Sequence, residues 1–258
     1  MHAGEASLAV LAEDRERQLE RYAEDLREMF THERELADDR ERQLARYAED
    51  LREVYKRERA RTLELRDSYA QTVRALANAV EARDPYAGGH AERVAAYGCE
   101  LALAWGISCA ERPELEFGFL LHDVGKLGIP DAILFKPGGL TDAETQLMRQ
   151  HVVIGSEILR PIDWLGEGRA VVRSHHERWD GAGYPDGLRA EEIPRAARVF
   201  AVADALDALT SQRPYRGPVS LDEARARIRA ESGSQFCPEA IDALDSLSNA
   251  RLHAIASR

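Results

Sequence analysis

From Glu5 to Asp84 the chain contains neither glycine nor proline, and Glu, Arg, Leu and Ala dominate those 80 residues. With both helix breakers absent and strong helix formers throughout, the run is expected to form one long helix. Unbroken, it would extend roughly 120 Å at about 1.5 Å per residue. Inside it lies a near-duplication: Asp-Arg-Glu-Arg-Gln-Leu-Glu-Arg-Tyr-Ala-Glu-Asp-Leu-Arg-Glu at 14–28 recurs almost unchanged at 39–53. The 25-residue offset is close to seven helical turns, so both copies present the same face. Leu19, Tyr22, Leu26 and Met29 follow a 3-4-3 spacing that Leu44, Tyr47, Leu51 and Val54 repeat. Leu65, Tyr69, Val73, Leu76 and Val80 carry the stripe onward.

A narrow apolar seam among charges is a coiled-coil pattern, with stutters where one copy joins the next. Alone, such a helix would leave its seam wet. Pairing into a parallel homodimer is therefore expected, against a monomeric charged helix or a hairpin. The lack of a turn signal weighs against the hairpin. Two copies without an internal turn do not make a solenoid.

From about residue 85 the grammar changes. Glycine and proline recur, and Val94–Trp105, Leu115–Leu121 and Val199–Leu209 read as helical segments. Clear alternating strands are absent. The expectation is an all-α chain: a coiled-coil dimerisation and signalling helix over 1–72, then a compact helical domain over 73–258 with long loops at 130–140 and 179–194. Because Val73–Arg83 runs directly toward His90, motion of the paired helices could reach that domain.

Composition narrows the classes of function. The formal net charge of −11 speaks against a nucleic-acid polymer, which needs a basic face. A small anionic substrate remains open if its site carries local positive charge. No stretch approaches the roughly 20 apolar residues of a membrane helix, and the N-terminus lacks the basic start and apolar run of a secretory signal. Cys99, Cys109 and Cys237 are odd in number and show no C-x-x-C spacing, which fits a reducing cytoplasm.

Chemistry concentrates in the histidines. His2, His32 and His253 read as solvated residues, whereas His90, His122, His151, His175 and His176 stand in purposeful contexts. In Leu120-Leu-His-Asp-Val-Gly-Lys126, an adjacent His122–Asp123 pair ends an apolar helix, and imidazole with carboxylate suits Mn, Fe, Ni or Zn. Lys126, four residues after His122, shares its face if the helix continues and could meet a phosphate; otherwise it is a surface lysine. In Ser174-His-His-Glu-Arg-Trp-Asp-Gly-Ala-Gly-Tyr-Pro185, neighbouring histidines point about 100° apart on a helix and could each reach a different ion. Gly181 and Gly183 permit positive φ, and Pro185 stiffens the exit. Asp204 interrupts an apolar helix and needs a cation or a salt bridge, while Asp207, one turn on, reads as a supporting residue. Arg213 and Arg216 are either phosphate clamps or surface charges. His151, alone in Gln-His-Val-Val-Ile-Gly, gains weight only from its company.

Taken together, H-D-V-G-K at 122–126, H-V-V-I-G at 151–155, H-H-E-R-W-D-G-A-G-Y-P at 175–185, A-D-A-L-D-A-L-T at 203–210 and R-P-Y-R at 213–216 resemble the HD-GYP phosphodiesterases of the HD superfamily. R-D-P-Y-A-G-G-H at 83–90, L-G-I-P-D at 127–131 and G-S-Q-F-C-P-E at 233–239 add support. The resemblance covers residues 75–250, in the family's order. It implies a metal-dependent enzyme that opens cyclic di-GMP to pGpG, and in many members onward to GMP, in bacterial second-messenger signalling. Some members prefer cyclic GMP-AMP.

By the same resemblance, His122, Asp123, His151, His175, His176 and Asp204 would hold two divalent ions, Fe or Mn foremost, with Asp123 bridging and a shared hydroxide as nucleophile. Asp123 and Lys126 would be catalytic, and Lys126, Tyr184, Arg213 and Arg216 would contact substrate. Members with a third metal carry a glutamate where this chain has Tyr86, so two metals are expected, with His90 facing substrate or serving as an occasional ligand. Competing readings are hydrolysis of another nucleotide, or a non-catalytic scaffold, against which the intact ligand set speaks.

Overall fold

A computed structural model describes residues 2–83, 89–212 and 217–256, with side chains described from Asp14 onward. The chain divides into two compact units, Met1–Arg66 and Asp67–Arg258. The glycine- and proline-free run forms one helix, α1 (His2–Glu81), with no hairpin. In the first unit every described side chain is exposed. Within this unit the seam is wet, with Leu19 63% and Leu51 70% exposed.

The second unit is built from the last turns of α1 and a succession of shorter helices. These are α2 (His90–Ala104), α3 (Pro113–Leu120), α4 (Asp131–Leu134), α5 (Asp142–Arg149), α6 (His151–Leu159) and α7 (Gly166–Ser174). They are followed by α8 (Arg195–Thr210), α9 (Leu221–Ala230), α10 (Pro238–Ser246) and α11 (Asn249–Ala256). Among the described residues there is no strand, and one isolated bridge joins Ser232 to Phe236. The expected all-α class is what the chain adopts. No helix among the described residues is long and apolar enough to cross a membrane.

Local chemistry explains the starts of these helices. Pro113 and Pro238 open α3 and α10 from the first turn, where a missing N–H costs nothing. Thr141 and Glu144 form a reciprocal capping box on α5, and Ser220 Oγ accepts from Glu223 N at the start of α9. Helix α2 is capped from outside itself. The carboxylate of Glu81, the last residue of α1, accepts the N–H of Gly89 at 3.0 Å and that of Ala91.

The core lies where α2, α3, α7 and α8 meet. Val94, Tyr97 and Leu101 of α2, Leu115 and Phe119 of α3, and Val199, Phe200 and Leu206 of α8 are fully buried. Phe119 and Phe200 stack at 5.1 Å. Each such side chain contributes roughly 2 kcal/mol by leaving water. Ala77 and Val80 bring the end of α1 into this core, and Arg74 ties it to Glu116 at 2.6 Å. The core thereby fixes one face of α3, α7 and α8, and the candidate site stands at the ends and edges of those helices.

Candidate metal centre

The site is assembled from four stretches of chain. Helix α3 ends at Leu120, and residues 121–123 turn before a short 3₁₀ segment, Val124–Gly128. The helix therefore does not carry Lys126 onto the face of His122, as a continued helix would. The tighter turn instead folds Lys126 back on Asp123, with Nζ 2.7 Å from Oδ2. Gly125 makes this turn possible. A Cβ there would lie 1.8 Å from the carbonyl oxygen of His151, so a bare backbone is what brings the Asp123 turn against the first turn of α6.

Three of the histidines share one device. His122 Nδ1 lies 2.9 Å from Phe119 O, His151 Nδ1 2.8 Å from Met148 O, and His175 Nδ1 2.9 Å from Val172 O. In each case the imidazole reaches three residues back along its own chain. A carbonyl can only accept, so each Nδ1 carries the hydrogen, and in the neutral ring each Nε2 is left as a lone pair directed away from the backbone.

These lone pairs converge. His151 Nε2 and His175 Nε2 are 3.4 Å apart, and two imidazole lone pairs at that distance require a cation or a proton between them. His151, His175 and His176 form one group with ligand atoms within 4.8 Å of one another, and His90, His122 and Asp204 form a second. Asp123 stands between the groups, with Oδ2 3.3 Å from His122 Nε2 and Oδ1 3.4 Å from His151 Nε2.

The electrostatics fit a cation-binding role. Burial pushes His175 well below the ordinary histidine range, aided by His176, His122 and His151 around it. Burial likewise lowers His151, and burial with His151 nearby lowers His176 to about 4. All three are neutral at physiological pH and able to donate electrons. Burial pulls His122 down, but the Asp123 carboxylate outweighs it and raises the ring overall. Burial would raise Asp123, yet His122 and Lys126 hold it well below the usual carboxylate range. A half-buried ionised carboxylate with the neutral His151 on one side and the aspartate-paired His122 on the other is a donor set suited to a divalent transition metal.

One placement differs from expectation, and one selects between two readings. His175 and His176 fall in the same group, because α7 ends at Ser174 and both rings leave the following turn with centroids 4.2 Å apart. His90 joins His122 and Asp204, with Nε2 3.5 Å from Asp204 Oδ1. Its Nδ1 is held at 2.7 Å by the buried Asp207, which also accepts from Arg93 Nε at 2.7 Å. The supporting role read for Asp207 thus has a specific geometry. Arg213, Arg216 and Tyr86 lie outside the described residues.

Beside the histidines opens a cavity of about 520 Å³, lined by His175, His176, Asp204, Arg149, Tyr184 and Arg227 among others. Tyr184 stacks on His176, centroids 4.9 Å apart and planes 28° from parallel. Its loop is fastened by a residue that motif reading passed over. Glu177, 4% exposed, accepts from the N–H groups of Asp186 at 2.7 Å, Gly187 at 3.1 Å and Leu188 at 3.1 Å. The signal was its position inside the 175–185 block. Gly181 does take positive φ, at 80°. Gly183 serves close approach instead, since a Cβ there would lie 2.3 Å from Arg178 N.

A fold of short helices with paired histidine and aspartate groups at its helix ends defines a class. The model of the HD domain, a metal-dependent phosphohydrolase fold, matches residues 74–240, and the chain belongs to that family. A cyclic di-GMP phosphodiesterase of Thermotoga maritima is 45% identical over 167 residues, covering 63% of this chain and 45% of the relative. A 3′3′-cGAMP-specific phosphodiesterase of Vibrio cholerae is 39% identical over 184 residues, covering 70% and 35%. A cyclic di-GMP phosphodiesterase response regulator of Xanthomonas campestris is 41% identical over 183 residues, covering 70% and 48%. The chain thus spans about half or less of the length of these relatives. A crystal structure of a cyclic GMP-AMP-specific phosphodiesterase of Vibrio cholerae matches with a TM-score of 0.56 and 20% identity, over 71% of this chain and 50% of that one; at that identity the likeness is one of fold.

Proposed function

We propose that the chain is a metal-dependent phosphodiesterase that opens cyclic di-GMP to pGpG, with GMP as the product if the second ester is also cut. The observation that carries this is Asp123 standing between two groups of neutral or aspartate-paired histidines beside a cavity of nucleotide size. Relatives named for cyclic di-GMP and for cGAMP support the substrate class, and the 45% identical one favours cyclic di-GMP.

In this reading His122, Asp123, His151, His175, His176 and Asp204 hold two divalent ions, Fe or Mn. Bound there, such ions would supply a water of lowered pKa and offset phosphate charge. The chain's own contribution is preorganisation. Carbonyls of Phe119, Met148 and Val172 fix the imidazoles with Nε2 forward, and Asp207 does the same for His90. Lys126, parked on Asp123, supplies a positive charge next to the reacting phosphate. Tyr184 walls the cavity, and Arg213 and Arg216 add contacts to substrate.

We place the catalytic domain at 73–258 and assign 1–72 to a coiled coil that pairs two copies in the cytoplasm. The wet stripe of Leu19, Tyr22, Leu26, Leu44, Tyr47 and Leu51 supports the pairing. Sedimentation equilibrium should give twice the monomer mass, and a monomer would remove the coiled-coil reading.

The test of activity is incubation of Mn- or Fe(II)-loaded protein with cyclic di-GMP and, separately, with 3′3′-cGAMP, resolving products by chromatography. Linear dinucleotide should accumulate with the wild type and not with Asp123→Ala. Absence of product from both substrates with both metals would sink the proposal; equal turnover by the variant would relocate the site.

A further inference from the structure

We infer that Arg149 binds a phosphate of the nucleotide substrate, an inference that rests on the cyclic-dinucleotide reading of the cavity. A chain of net charge −11 must supply local cations wherever it accepts a polyanion. Three described arginines line the cavity: Arg149, Arg178 and Arg227. Two are already committed. Arg178 grips Asp180 through two bonds, Nε–Oδ1 at 3.1 Å and Nη2–Oδ2 at 2.8 Å. Arg227 is bound to Glu223 at 2.6 Å. Each of these guanidiniums has its charge balanced by a neighbouring carboxylate.

Arg149 differs. Its side chain is exposed, and among the described residues no carboxylate lies within ion-pair distance of it. Its guanidinium carbon instead sits 4.9 Å from the centre of the Tyr184 ring. An arginine resting on an aromatic face is steadied without using any of its five N–H donors, which stay in the guanidinium plane for a ligand. The aromatic platform is itself placed, because Tyr184 stacks on His176.

The backbone reinforces this placement. Arg149 is the last residue of α5, whose start is locked by the Thr141–Glu144 capping box, and His151 opens α6 two residues later. One short stretch therefore carries both His151, grouped with the cavity-lining His175 and His176, and a guanidinium on the wall of that cavity. A cyclic dinucleotide has two phosphates. With one at the histidine groups, Arg149 on the cavity wall takes the non-reacting one. A contact of that kind strengthens binding of ground state and transition state alike, so its removal acts on KM and leaves kcat.

The experiment compares wild type, Arg149→Gln and Arg149→Lys, with Arg160→Gln as a surface control. KM and kcat are measured with Mn-loaded protein, and Kd for cyclic di-GMP by calorimetry. Loss of one charge-assisted contact should raise KM and Kd roughly 10- to 100-fold for Arg149→Gln, with kcat within about twofold. Arg149→Lys, which keeps the charge and loses the planar stack, should fall between. Manganese content and melting temperature should match wild type in both.

Unchanged KM and Kd in an active Arg149→Gln protein would overturn the inference and leave the phosphodiesterase reading standing. A fall in kcat at constant KM would also overturn it. If wild type binds cyclic di-GMP without turnover and Arg149→Gln weakens that binding, the contact stands and the catalytic reading falls. If wild type neither binds nor hydrolyses the nucleotide, both fall.

Discussion

Replacing Gly125 by alanine adds one methyl group at the joint between the Asp123 turn and α6. The new Cβ would lie 1.8 Å from His151 O and 2.5 Å from Gly155 N, both backbone atoms, where ordinary contact begins at 3.4 Å. No rotamer change can relieve this, because nothing flexible is in the way. The two segments must part by about 1.6 Å, the shortfall between those distances. Overpacking of this kind costs roughly 1–3 kcal/mol, which for a domain of this size lowers the melting temperature by about 2–4 °C per kcal/mol.

The larger effect falls on the site. Asp123 Oδ1 and His151 Nε2, now 3.4 Å apart, would separate by a similar amount, and misplacement by about 1 Å costs on the order of 100-fold in rate. The assay is turnover of cyclic di-GMP by Mn-loaded Gly125→Ala, beside its metal content and melting curve. Gly139→Ala serves as control, since a Cβ there meets nothing within 4 Å. Wild-type turnover and wild-type metal content in Gly125→Ala would refute the argument that this contact sets the aspartate–histidine distance.

Three further outcomes are expected. Glu177→Gln leaves one acceptor oxygen for three backbone N–H groups and should cost about 2 kcal/mol in urea unfolding, with faster hydrogen exchange at Asp186, Gly187 and Leu188; unchanged exchange there would deny Glu177 its fastening role. Glu144, held at about 2 by Lys136 and by the N–H and hydroxyl of Thr141, has its folded value depressed below the ordinary 4.5. Its contribution to stability is therefore full above that value and lost as the pH falls toward about 2, so Glu144→Gln should flatten the acid limb of a melting-temperature profile in that window. Chelation of metal-loaded protein should lower the melting temperature, because ions that bind the folded site stabilise it by mass action; an unchanged melting curve would argue against a folded-state metal site.

How far the structure was legible in the sequence depends on the range of the forces involved. Helix α1 was readable because absence of glycine and proline is a local property. That His122, Asp123, His151, His175, His176 and Asp204 belong to one site was implied by the family resemblance, since blocks such as that of His151 carry little weight alone; the structure brings them close together and adds His90. What escaped was set by turns and by through-space contact. The end of the 115–121 helix beside His122 was readable, but nothing in the sequence announced that the turn after it would fold Lys126 onto Asp123, or that α7 would stop at Ser174 and gather both histidines in one group. Arg149 reaches Tyr184 across 35 positions of chain, a pairing without any local signature. Glu177 lies inside the 175–185 motif, yet its three backbone partners exist only once the loop has closed.

The capping of α2 by Glu81 has a mechanical consequence. A helix start satisfied by its own side chains is indifferent to its neighbours, whereas the N–H groups of Gly89 and Ala91 depend on the last residue of α1. Turning the end of α1 by one residue would swing Glu81 through about 100° and leave the buried Ala91 N–H unmatched. The same turn carries His90, between those two N–H groups, and Arg93, the two residues that Asp207 holds. The cap on α2 is thereby tied to the angular phase of α1: a turn of α1 about its own axis would take the Glu81 carboxylate away from the first turn of α2, which carries His90.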